Sequence, residues 1–287
     1  MKRKSLRVRR LKERLYVAGF LAGVGVALAI LALLLGSILQ AAWPHLTPSL
    51  VLNYANSTNP ATAGYAAAIV GTLWVVGLTL LFSLPLGIAA GVYLEEYAPR
   101  GRITRILQAG VTNLAGVPSV VFGLLGLVVF VRLLGLGPVV LAGSLTLTML
   151  VFPYVVITTQ EAVRAVPASI RDASLALGST KWQSIRRQVL PAAAPGLLTA
   201  GILAAARAMG ETAPLLVIGA LFIQTFLPYG PDSPFVALPV QIYAYTSLPV
   251  GTWGGVAAGG MVILLAMLFS FNVVAIVARN RLQRQRW

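Results

Sequence analysis

Six stretches of this chain are long and apolar enough to cross a bilayer, and nearly all its charges lie between them. The stretches are residues 16–39, 66–94, 106–131, 139–159, 192–223 and 251–278. A membrane-crossing helix needs ~20 mostly apolar residues. Inside hydrocarbon every backbone N–H and C=O must be satisfied within the protein, so this pattern predicts an all-α polytopic membrane protein with six transmembrane helices. Only 10% of the residues are charged, against ~25% in a soluble domain, and no soluble domain is visible.

The basic residues set the orientation. Residues 1–15 hold eight Lys or Arg, 95–105 three, 160–191 five and 279–287 four, which is 20 of the 22 in the chain. The loops 40–65 and 224–250 hold none. By the positive-inside rule both termini are cytoplasmic, and the net charge of +15 reads as membrane orientation rather than nucleic-acid binding. The expected organisation is a basic cytoplasmic N-terminus (1–15), an anchor helix with an outer loop (16–65), a transmembrane domain (66–278) with a cytoplasmic loop at 160–191, and a cytoplasmic tail (279–287). The 24 apolar residues of 16–39 exceed the ~7–15 of a signal-peptide core, so an uncleaved anchor is expected.

Composition also excludes chemistry. There is no cysteine and one histidine, His45. A disulfide framework, a thiol nucleophile or a histidine metal site has no material here. No G-x-x-x-x-G-K-[ST] occurs, so the chain cannot cradle and hydrolyse ATP itself. Energy comes from a partner or an ion gradient. Trp43, Tyr54, Tyr229 and Tyr245 read as interfacial aromatic anchors. His45 and Asp232 read as solvated, and Glu95 and Glu96 as surface partners of Arg100, Arg102 and Arg105.

The loop at 160–191 is patterned. Pro167 suits a first helical turn. Ile170, Ala173 and Leu177 recur on one helical face, and Gly178 suits a C′ position. Thr180 with Gln183 three later is a capping box that starts a second helix, on which Trp182, Ile185 and Val189 repeat. Three readings fit: a hairpin on lipid headgroups anchored by Arg171, Lys181, Arg186 and Arg187, a DNA-binding helix-turn-helix, or a docking surface for a soluble partner.

"DASLALGSTKWQSIRRQVLP" (172–191) resembles the EAA loop of ABC importer permeases, with Asp172 for the usual Glu, Ser174 for Ala and Gln188 for an aliphatic residue. "AIVGTLW", "PLGIAAGVYLEEYA", "GVPSVVFGL", "ARAMGETAPLL" and "PFVALPVQIY" resemble the PstA-type permeases of phosphate uptake systems. The resemblance implies a MetI-like core of five helices plus one extra, a bacterial inner-membrane location, and translocation of inorganic phosphate. It implies that Asp172, Ala173, Gly178, Leu190 and Pro191 couple to a cytoplasmic ATPase. The implied partners are a PstC-like sister permease, a PstB-like ATPase dimer that binds ATP and Mg, and an external PstS-like phosphate-binding protein. This chain itself would be no enzyme and carry no cofactor. An ion-driven secondary anion transporter, or an ABC permease for another oxyanion, are the alternatives.

Between Ala192 and Ile223 the only charges are Arg207 and Glu211. A charge at mid-membrane costs ~3 kcal/mol on insertion scales, and i,i+4 spacing lets the two pair. The pair serves either as a lock between helices or as a substrate site. A guanidinium fork fits phosphate oxygens two at a time, and Glu211 can hold Arg207 when no anion is bound. Thr212 and Ser119, in the polar break "GVPS", are expected along the same route. Pro195, Gly196, Gly210 and Pro214 predict a kink or break in 192–223.

Overall fold

A computed structural model describes residues 6–99, 101–248 and 253–284. Among those residues the only regular elements are helices, joined by turns and irregular segments, with one isolated β-bridge between Val139 and Pro234. In chain order the helices are α1 (Leu6–Ala42), the short outer α2 (Pro48–Leu52), α3 (Ala66–Val92), α4 (Arg102–Ala115), α5 (Ser119–Gly126) and α6 (Val140–Arg164). There follow α7 (Ala168–Ala176), α8 (Lys181–Ser184), α9 (Leu190–Gly210), α10 (Ala213–Val217), α11 (Leu238–Thr246) and α12 (Trp253–Arg284). Among the described residues, five helical runs are long and apolar enough to span, or six if the bent pair α4 and α5 counts as one.

The centre is α6. Its seam with α3 is closed by small residues: a Cβ on Gly87 would lie 2.6 Å from Val155 Cγ1, and one on Gly91 2.6 Å from Thr159 Cβ. Ser144, Thr146 and Thr148 of α6 are buried. Each donates its hydroxyl to the carbonyl four residues back, at 2.7–2.8 Å. The helix thus satisfies its own side chains, which is how polar residues enter an apolar core without loss.

Two expected spans are broken. Residues 106–131 do not form one helix: α4 and α5 meet at 100°. Pro118 disfavours helical geometry at Val117, and Pro118 itself is non-helical (φ −56, ψ 137). Residues 192–223 stop as a helix at Gly210, where Glu211 leaves helical geometry (φ −77, ψ 122). A short α10 follows, then an irregular segment to Ala237 with Gly219 at φ +91. Its backbone is satisfied by protein: Leu221 N–H donates to Phe235, and Val140 and Leu141 N–H donate to Ser233 and Pro231, at 2.8–3.0 Å. Irregular backbone is tolerated at membrane depth only on such terms.

The cytoplasmic hairpin forms with its predicted punctuation. Gly178 is left-handed (φ +81), and Thr180 and Gln183 make both capping-box hydrogen bonds. Three details differ. Pro167 caps α7 rather than opening its first turn. The second helix is no separate element: from Lys181 the chain stays helical to Gly210, 30 residues, through a π-helical turn at Ile185–Val189. Nor is the hairpin wholly exposed, for Ile185 and Val189 pack with Val92, Val163, Val166 and Ala193 in a small core. The predicted Ile170–Ala173–Leu177 face instead points outward at its far end, with Leu177 87% exposed. Further along, Gly196 touches α6 so closely that a Cβ there would sit 2.5 Å from Ala162 Cβ.

Other expectations are overturned. Glu95 and Glu96 lie in a π-helical turn at Tyr93–Tyr97 that ends α3, and they do not pair with Arg102 or Arg105. Glu95 binds Arg164 (3.0 and 2.7 Å) and Glu96 binds Arg171 (2.8 Å); Arg100 lies outside the described residues. Tyr245 is no interfacial anchor: it is fully buried, edge-on to Tyr65 at 5.4 Å and tilted against Trp253 at 5.2 Å. His45 is half-buried against Gly255, with Nδ1 unpartnered.

Candidate functional site

Arg207 occupies the last turn of α9, where a cation is favoured by the helix dipole. Glu211 is its partner, with Nε and Oε1 3.5 Å apart. The two meet around the end of the helix rather than along a continuous face, because α9 stops between them. That distance is an ion pair without a hydrogen bond, and Arg207 Nε, shut off from water, has no hydrogen-bond partner. The two side chains are 33% and 16% exposed.

Sequence reasoning missed the residue that holds the arginine. The Arg207 guanidinium lies over the ring of Tyr154 on α6, 3.8 Å from its centroid. This is a cation–π contact, stronger where water is excluded. The Tyr154 hydroxyl donates to the Ala115 carbonyl at 2.6 Å, on the last residue of α4. One tyrosine thus joins the arginine to the α4–α5 break. The signal for it was slight: a lone phenol in mid-span, away from any interface, after Pro153.

Ser119 opens α5, just after the break that Tyr154 secures. It lies one turn before Gly123, where a Cβ would sit 2.7 Å from Pro214 Cα, so its helix face is the one turned to α10. Thr212 caps α10 without a side-chain hydrogen bond. Arg207, Glu211, Thr212 and Ser119 therefore sit on segments that converge where both broken spans are interrupted. A guanidinium stacked on a ring keeps its N–H edge free for in-plane bidentate contacts, and the arrangement can receive an oxyanion. Among the described residues, no group of three or more His, Cys, Asp or Glu could hold a metal.

At the cytoplasmic end, Asp172 and Ala173 are exposed on α7. Gly178 makes the turn, and Leu190 and Pro191 open α9, with Leu190 packed against the small core. Leu175, Leu177 and Trp182 of the hairpin are also exposed.

The family described as "Binding-protein-dependent transport system inner membrane component" matches residues 83–285. The chain belongs to this family. It is a multi-pass inner-membrane permease subunit of an ABC importer, which removes the ion-driven secondary transporter from consideration. The chain is 33% identical over 286 residues to "Phosphate transport system permease protein PstA 1" of Mycobacterium tuberculosis, covering 97% of this chain and 92% of that one. It is 33% identical over 233 residues to "Phosphate transport system permease protein PstA" of Haemophilus influenzae, covering 79% and 80%. With "Probable ABC transporter permease protein YqgI" of Bacillus subtilis it shares 32% over 232 residues, covering 77% and 79%.

Solved structures share the fold. A chain of the MetNI methionine ABC transporter in an inward-facing conformation superposes with a TM-score of 0.62 at 19% identity, covering 75% of this chain and 96% of that one. A chain of the bacterial alginate ABC transporter, in complex with an alginate-bound periplasmic protein, gives 0.67 at 16% identity, covering 95% and 96%. The MetI-like core is thereby established for this permease.

Proposed function

We propose that this permease subunit moves inorganic phosphate into the cell. The observation that carries the reading is Arg207: its guanidinium lies on the Tyr154 ring, its Nε is unpartnered, and Glu211 is 3.5 Å away. In that state the arginine is held but not saturated. An arriving phosphate offers oxygens that Glu211, at that distance, does not replace. Glu211 returns to the arginine when the anion leaves. The likeness to two phosphate permeases supports the choice of anion. Ser119 and Thr212 contribute hydroxyls along the path.

The complex we propose contains a PstC-like permease, a PstB-like ATPase dimer holding ATP and Mg, and a PstS-like binding protein. The hairpin docks the ATPase through Asp172, Ala173 and Gly178, with Leu175, Leu177 and Trp182 as the apolar contact. Leu190 and Pro191 fix where it joins α9.

The test is uptake into vesicles holding the full complex, with sulfate as competitor. Phosphate uptake that excess sulfate leaves unchanged supports the reading; preference for sulfate replaces it with another oxyanion. The site is tested by changing Arg207→Gln and Glu211→Gln together. The double variant should assemble and remain inactive. Recovered transport would make the pair a lock between helices and remove the site assignment.

A further inference from the structure

The interactions around Arg171 tie the hairpin to two transmembrane helices at once. Arg171 uses every arm of its fork: Nε donates to Glu96 Oε1 at 2.8 Å, Nη1 to the Val166 carbonyl at 2.6 Å and Nη2 to the Val163 carbonyl at 2.8 Å. Val163 lies in the last turn of α6, Val166 lies just after it, and Glu96 lies in the π-helical turn that ends α3. The Arg171 and Glu96 side chains are 22% and 10% exposed. A second tie runs from the other side of the hairpin, where Lys181 Nζ stands 5.0 Å from the centroid of the Tyr97 ring. Beneath both, Ile185 and Val189 of the hairpin share a core with Val92 of α3 and Val163 of α6.

We infer that Arg171 and Glu96 are the joint through which movement of the cytoplasmic hairpin reaches α3. They are positioning residues for transport. An apolar pair would hold the elements together as well as this ion pair does. A guanidinium saturated from three directions does more, because it fixes angle as well as distance. The π-helical turns lie on both sides of the joint, at Tyr93–Tyr97 and Ile185–Val189, and such turns concentrate at functional sites. A hairpin displaced by its partner therefore takes the end of α3 with it rather than sliding over it.

This inference rests on the reading of the hairpin as the ATPase dock. The experiment uses the full complex in vesicles, with inorganic phosphate as the transported probe. It measures ATP hydrolysed per phosphate taken up. Glu96→Ala should leave the ATPase co-purifying and hydrolysing, while the ratio rises about tenfold for the lost charge-assisted hydrogen bond. Glu96→Gln keeps an acceptor for Arg171 Nε and should restore most of the coupling. An unchanged ratio in Glu96→Ala overturns the inference, and so does a parallel loss of hydrolysis and uptake, which would mean a role in assembly only. If Glu96→Ala does not reach the membrane, Arg171→Lys carries the test under the same outcomes, since one ammonium cannot hold three diverging acceptors. Failure of the ATPase to co-purify with the unaltered chain would instead overturn the docking reading, and this inference with it.

Discussion

Helices α1 and α6 both read as spans, yet they stand in opposite relations to the rest of the chain. None of the most apolar stretch of α1 is buried, and two-thirds of that of α6 is. The more hydrophobic stretch, with a mean hydropathy of 2.6 against 2.1, is the one left outside. In water that order would be reversed. In a bilayer, lipid is as apolar as leucine, so hydrophobicity does not sort helices into the centre. What sorts them is close packing and polar side chains with somewhere to bond. Glycine shows the contrast. Around Gly19, Gly23, Gly25 and Gly36 of α1 nothing lies within 4 Å of an added Cβ, whereas Gly143 of α6 faces Phe235 Cζ at 2.7 Å and Gly87 of α3 faces Val155 at 2.6 Å.

The contrast breaks if both kinds of glycine tolerate side chains equally. The largest effect belongs to the seam. Gly87→Leu must push α3 off α6, an overpacking cost of about 1–3 kcal/mol or more. The expected result is a clear fall in the thermal midpoint of the detergent-solubilised complex and in its membrane level. Next is Arg207→Lys, which keeps the charge above Tyr154 but loses the fork. Assembly should be normal, and phosphate uptake should fall by about 10- to 100-fold, the range for a lost hydrogen bond to a charged group.

Tyr154→Phe sharpens the comparison from within α6, keeping the ring under the arginine while deleting the hydrogen bond to Ala115. A neutral hydrogen bond is worth about 1 kcal/mol. Uptake should drop several-fold, with faster hydrogen exchange at the α4–α5 break. The smallest effect is expected in α1, where Gly23→Ala should leave uptake unchanged and, if anything, raise stability by up to ~1 kcal/mol through helix propensity. A loss there as large as in Gly87→Leu would show that α1 packs against something the single chain does not contain.

The legible parts of this protein were those decided locally. Hydropathy located α3 and α6 to within about five residues, and Gly178 with the Thr180–Gln183 box announced the hairpin, because a left-handed turn and a capping box are each complete within a few residues. Arg207 and Glu211 stood out because charge is rare in that setting. The rest depended on contacts distant in sequence. Glu95 and Glu96 had basic neighbours within ten residues, yet they bind arginines 69 and 75 positions away. Tyr154 meets Ala115 across 39 positions, and no pattern in either segment points to the other. "GVPS" signalled a break but not its 100° angle, which depends on what α5 packs against.

The unbroken run from Lys181 to Gly210 has a mechanical consequence. Lys181, at the hairpin, and Arg207 lie 26 residues apart on it, about 39 Å at 1.5 Å per residue. The run joins the hairpin at one end to the guanidinium near the other. A tilt of about 5° at the hairpin swings that other end by about 3 Å over this length. Such a stroke exceeds the 2.6 Å from the Tyr154 hydroxyl to the Ala115 carbonyl. A rotation of that size at the hairpin end would therefore displace the Arg207 guanidinium, at the far end of the same helical run, by about the length of a hydrogen bond.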